Sequence, residues 1–82
     1  KKKNIKLRLE RLIEEKRQKG ITSINVYFKN GVSLYGDVDC IDINDTNFIF
    51  RDFLKEKYIN TTKRTSFHSS MKIDYRLVNW VS

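Results

Sequence analysis

Chemistry in this chain would have to come from one thiol, Cys40, one imidazole, His68, a trio of nearby carboxylates, Asp37, Asp39 and Asp42, and the guanidinium of Arg76. Nucleophilic catalysis needs a thiol or hydroxyl within hydrogen-bond reach of a base, and a tetrahedral zinc site needs four ligands. Cys40 falls on the same predicted strand face as Val32, Leu34 and Val38, so it reads as a core thiol. His68 falls on the face opposite Phe67, Ser69 and Met71, at the surface, and one His with one Cys cannot close a zinc site. Asp37 and Asp39 alternate onto an outward strand face, a solvated edge, whereas Asp42 follows Ile41 at a strand end and is the carboxylate of greatest interest. No Gly-rich loop is present to cradle a phosphate. The expectation is a non-enzyme with no metal and no cofactor.

The elements that position these groups are legible from periodicity. Ile5, Leu9, Leu12 and Ile13 recur at helical spacing, Lys16 extends the stripe with its aliphatic stem, and Gly20 supplies a stop. Leu7 lies on the other side of this helix, which gives it a second apolar position for a neighbour. From Ile21 the period becomes two: Ile24, Val26 and Phe28 face one way, Asn25, Tyr27 and Lys29 the other. Asn30-Gly31 predicts a tight hairpin turn with both residues at positive φ. The return strand carries Val32, Leu34, Val38 and Cys40 on one face, and Gly36 inside it marks a bend or a close approach of backbone. Asn44 to Asn47 is a turn cluster, after which Phe48 and Phe50 resume the alternation. Residues 53–64 fit either the charged end of a long hairpin or a surface loop. Phe67, Ser69, Met71, Ile73 and Tyr75 alternate again, and Leu77 to Val81 form a last short strand. A basic amphipathic helix over 1–20 followed by a barrel over 21–82 is the expected division. The expected class is mainly β with an N-terminal α-helix: a small, strongly bent antiparallel sheet or barrel of about five strands, of the Sm-like, SH3-like or OB-like kind.

Eighty-two residues without Pro allow one small core, and 39% hydrophobic content is enough to fill it. A lone Cys excludes an internal disulfide framework and points to a reducing compartment. Asn44-Asp45-Thr46 and Asn60-Thr61-Thr62 match the glycosylation sequon and read as chance. No apolar run approaches the roughly 20 residues of a membrane span, so no membrane partner is expected. Glu10, Glu14 and Glu15 argue against a transit peptide, and the absence of an initial Met suggests a cropped or processed chain. The net charge of +7 is uneven: Lys1 to Gly20 hold nine Lys/Arg against three Glu, and Ile21 to Ser82 hold eight Lys/Arg against seven Asp/Glu. The arm is therefore basic and the body nearly neutral.

The stretch Ile24 to Asp42 resembles the first Sm motif: alternating apolar residues, Gly31, Gly36 five residues on, then Ile41-Asp42 ending six after that. It is also similar to the Hfq family, with its Asn-Gly turn, later Gly and apolar-Asp pair. The resemblance implies an Sm-like fold. Two departures matter. Sm and LSm proteins place a Met-Asn pair in the RNA-binding loop, and the corresponding Asn47 comes one residue late; their Arg-Gly pair is replaced by Arg76-Leu77, and the Tyr-Lys-His of Hfq by Asp74-Tyr75-Arg76. The combination resembles the divergent Gemin subunits of the survival-of-motor-neuron complex, whose Gly, Asp and Asn-Phe spacing is similar to Gly36, Asp42 and Asn47-Phe48.

Two functions follow as expectations. The first, implied by the Gemin resemblance, is a scaffold subunit in cytoplasm and nucleus that pairs edge to edge with another Sm-like, Gemin-six-like protein and supports assembly of spliceosomal small nuclear ribonucleoproteins. Its expected interface is Met71, Ile73, Leu77, Val78 and Trp80, with the stripe Ile5, Leu9, Leu12 and Ile13 able to cap the barrel or dock on a further subunit. The alternative is an RNA-binding LSm or Hfq-like ring subunit acting in RNA processing. There Asp42, Asn47 and Arg76 would line the pore by resemblance, Tyr27 and Tyr35 would stack on bases, and the basic arm would attract phosphates. Lys1 to Lys3 could instead be a nuclear-localisation remnant.

Overall fold

The computed structural model describes residues 4–82; Lys1 to Lys3, and with them the localisation signal expected there, lie outside the described residues. Helix α1 spans Ile5–Gln18. Asn4 caps its start, accepting from the Leu7 amide at 3.0 Å. At its end Gly20 takes φ +71, its amide donates to the Arg17 carbonyl, and the Ile21 amide donates to the Lys16 carbonyl at 2.8 Å. That pair of bonds is a Schellman cap, and it needs a residue that tolerates the left-handed region.

Six strands follow: β1 Ser23–Phe28, β2 Ser33–Asp37, β3 Ile41–Ile43, β4 Asn47–Ile59, β5 Thr62–Asp74 and β6 Val78–Val81. All neighbours are antiparallel. β2 and β3 are two arms of one chain path, broken by a 3-10 turn at Val38–Cys40, and both pair with β4: β2 against Phe53 to Glu56, β3 against Phe48 to Phe50. Counted as one bent strand, they give a strongly curled half-barrel of five strands running β6-β1-β2/β3-β4-β5. The fold is mainly β with an N-terminal helix and is consistent with the Sm-like architecture.

The curl has a steric cause at Gly36. A Cβ there would lie 2.6 Å and 2.7 Å from two ring carbons of Phe50 and 2.9 Å from the Asp52 carbonyl oxygen, so the Phe50 ring folds over bare backbone. Arg51 holds the bend from outside: it donates to the Asp39 carbonyl and pairs with the Asp42 carboxylate at 3.4 Å. Inside the curl Phe48, Phe50, Phe53, Ile24, Leu34 and Ile73 are almost wholly removed from water, and Leu9 of the helix stripe closes the core. Arg17 pairs with Asp39 at 3.2 Å, Lys6 with Asp45 at 3.3 Å, and the Lys16 ammonium donates to the Ser23 carbonyl at 2.7 Å, so α1 is fastened along its length.

Several expectations are corrected. Only Gly31 of the first turn has positive φ; its amide donates to the Phe28 carbonyl, and the Phe28 amide donates to Val32, which makes a three-residue loop closed by a left-handed Gly. Residues 53–64, open between hairpin and loop in the sequence, are the hairpin: they form the end of β4-β5, whose two-residue turn places Asn60 at φ 51 and Thr61 at φ 67. Asp37 and Asp39 do not share a strand face: Asp37 caps the 3-10 turn by accepting from the Asp39 amide at 2.8 Å. Cys40 ends that turn, half-buried against the core rather than within it.

Candidate functional site: open strand edges and the loop end

A curled sheet that does not close leaves two edges. Among the described residues they are β5, a 13-residue strand paired only with β4, and β6, a four-residue strand paired only with β1. Each presents a row of backbone donors and acceptors suited to strand addition. Lys63, Arg64 and Lys72 punctuate the β5 edge, and Ser70 at φ 50 kinks it. The β6 edge is reinforced at its far end by reciprocal bonds between Asn25 and Ser82, 2.8 Å and 3.0 Å.

The structure divides the interface set expected from the sequence. Ile5, Leu9, Leu12, Ile13, Ile73 and Val78 are buried in this chain's own core. Of the two placements expected for the helix stripe, the structure has the first: it packs on the sheet of its own chain and helps fill the small core. Met71, Leu77 and Trp80 remain exposed. Met71 and Leu77 line a 240 Å³ pocket with Phe28, Val32 and Lys55, beside the β1-β2 turn. Trp80 sits with Leu7 and Arg11 around a second groove of 340 Å³, and the Arg8 guanidinium lies over its ring at 4.7 Å from the centroid. Arg8 also donates to the Val81 carbonyl at 3.5 Å, which couples helix and edge strand.

The RNA set is divided as well. Asn47 and Asp74 are cross-strand partners, and Asp74 holds Arg76 through bonds of 2.8–3.2 Å, so Asp74 stands between Asn47 and Arg76 at the loop end. Asp42 turns to Arg51. The Arg76 guanidinium holds the Asp74 carboxyl down from an ordinary 3.8 to about 2, and the carboxylate in turn raises Arg76. The charge expected to grip RNA is thus matched by a carboxylate of its own chain. Tyr75, missed as a positioning residue, donates its hydroxyl to the Asn44 carbonyl at 2.8 Å and sets its ring 5.5 Å from Phe48, locking the two loops together; burial pushes its pKa up. Its place at the end of an alternating run was the available signal. Asn44 further donates to Asn47 at 3.0 Å.

Tyr27 and Tyr35 are exposed on the convex face of the sheet. Tyr35 is opposite Leu54, and Leu54 opposite Phe67, so an apolar row crosses three strands above a 420 Å³ groove that also reaches Asp37 and Cys40. Leu54 is seven residues along β4 from Asn47, about 20 Å of strand. The tyrosines and the loop end are therefore separate surfaces. His68 stacks on Phe53, centroids 5.5 Å apart, with its Nε2 2.8 Å from the Ser66 hydroxyl. Among the described residues no three His, Cys, Asp or Glu side chains converge as a metal site, and no helix is long and apolar enough to cross a membrane. No family model matches this chain, and no curated protein matches it either.

Proposed function

We propose that this chain is a non-enzymatic Sm-like scaffold subunit that adds a second Sm-like protein to its sheet by strand pairing. The observation that carries the reading is the pair of open edges, β5 and β6, at the two ends of one curled sheet. Strand addition there supplies main-chain hydrogen bonds, and Met71, Leu77 and Trp80 beside the edges supply the apolar contacts that select a partner. The spacing of Gly36, Asp42 and Asn47-Phe48, most like that of Gemin-seven, extends the proposal to assembly of spliceosomal small nuclear ribonucleoproteins, with a Gemin-six-like partner, in cytoplasm and nucleus. The alternative, a ring subunit that binds RNA, is favoured by exposed Tyr27 and Tyr35 and opposed by the commitment of Arg76 to Asp74.

The test is assembly of the purified chain with a co-expressed Sm-like protein. Trp80→Ala weakens the heterodimer about tenfold or more, as loss of an aromatic hot spot does, and Arg76→Ala leaves it intact. Loss of oligo-uridine binding by the isolated protein on Arg76→Ala would instead overturn the scaffold reading in favour of the RNA-binding alternative.

A further inference from the structure

The β4-β5 hairpin outgrows the sheet that supports it. Ser33 opposite Glu56 is the last pair that β2 makes with β4, and from Lys57 onward β4 has only β5 beside it. The pairs Lys57-Arg64, Tyr58-Lys63 and Ile59-Thr62, closed by Asn60 and Thr61, form a free two-stranded ribbon about 10 Å long, exposed throughout.

Its charge is sorted by face. On one face Glu56 pairs with Lys63 at 3.0 Å. On the other stand Lys55, Lys57 and Arg64, and among the described residues no carboxylate pairs with any of them. Lys57 and Arg64 are direct cross-strand partners, an arrangement of like charges that destabilises a hairpin. Residues 55–64 hold four Lys/Arg and one Glu, so this tip carries +3 while the remainder of Ile21 to Ser82 carries six acidic and four basic residues. The near-neutral body is therefore a basic ribbon set on an acidic barrel.

We propose that this ribbon is a nucleic-acid contact that reads the phosphodiester backbone without sequence preference, through Lys55, Lys57 and Arg64. An anion between the paired cations removes the repulsion the fold otherwise bears. Asn60, Thr61, Thr62 and Ser66 add the small neutral donors that phosphate contacts use. An acidic peptide is the competing occupant, since Ile59 lies exposed on this face and Lys55 borders the Met71 and Leu77 pocket, and the poly-glutamate arm of the test below separates it. The site is distinct from the loop end around Arg76 and does not depend on strand pairing with a partner.

The test is fluorescence anisotropy of the full chain with a labelled mixed-sequence DNA of about 20 nucleotides, as duplex and as single strand, over a salt series. Removing two phosphate contacts with Lys57→Gln and Arg64→Gln together lowers the log-log salt slope by about 1.8 for duplex or about 1.4 for single strand, and weakens binding at 0.1 M salt by roughly 25- to 60-fold. The arm that loses its slope identifies the form recognised. A control with the same charge loss on the helix, Arg11→Gln with Lys19→Gln, keeps the slope. Both pairs are exposed, so unchanged thermal melts verify folding. Equal loss in the control, an unchanged slope in both arms, or displacement of DNA by poly-glutamate at equal charge concentration would overturn the proposal.

Discussion

Gly36→Ala is the sharpest perturbation of the bend. The new methyl group would lie 2.6 Å and 2.7 Å from Phe50 ring carbons and 2.9 Å from the Asp52 carbonyl oxygen. None of these can yield cheaply: the Phe50 ring is fully buried, and the Asp52 oxygen belongs to the backbone of β4. Overpacking of this kind costs about 1–3 kcal/mol, and two rigid neighbours put the change at the upper end, about 3 kcal/mol. For a domain of this size that lowers Tm by about 12–24 °C. Urea titration followed by circular dichroism reads the loss as a fall in midpoint at constant m. A cycle with Phe50→Leu locates the cause. In the Phe50→Leu background the ring is gone but the Asp52 carbonyl remains, so Gly36→Ala still costs about 1–2 kcal/mol, a coupling of about 1–2 kcal/mol. A Gly36→Ala protein within about 0.5 kcal/mol of the parent, or strict additivity in the cycle, refutes the account of the curl.

Three further outcomes are expected. Thr61→Gly stabilises the chain by about 1 kcal/mol in the same titration, because a β-branched residue is held at φ 67 in the β4-β5 turn. Leu9→Ala costs about 2–5 kcal/mol, since Leu9 is wholly buried; a helix that merely trailed from the barrel would show almost no change. Titration of Asp74 by NMR gives a midpoint of about 2, and Arg76→Ala moves it back toward 3.8. The folded value lies below the unfolded one, so the pair's stabilisation is complete above about pH 4 and is lost as pH falls through about 2.

The helix was legible because its stripe is regular and Gly20 ends it, and the curl because Gly36 interrupts an otherwise apolar strand. The size of the first turn was not, since Asn30-Gly31 suits both a two-residue loop and a three-residue loop with a left-handed Gly. Residues 57–64 gave no alternation because both faces of the free ribbon meet water, and a strand without a buried face has no period-two signal. Alternation also ran too far through Val38 and Cys40, where a 3-10 turn rotates the chain and takes Cys40 partly out of the core. Arg51 escaped notice because one of its partners is a backbone carbonyl across the bend, which residue types do not encode. Of the expected interface, the split between buried Val78 and exposed Leu77 depends on the 3-10 turn at Tyr75–Leu77, and Met71 and Ile73 share one strand face and differ only in how far the core reaches along it. Neither the turn nor the extent of the core leaves a pattern in the sequence.

The central claim is that the open β5 and β6 edges seek another Sm-like subunit. Native mass measurement of the chain, alone and co-expressed with an Sm-like partner, tests it most directly. The account predicts a chain that is monomeric or aggregating alone and a soluble heterodimer with the partner. A stable homohexamer or homoheptamer that binds oligo-uridine contradicts it.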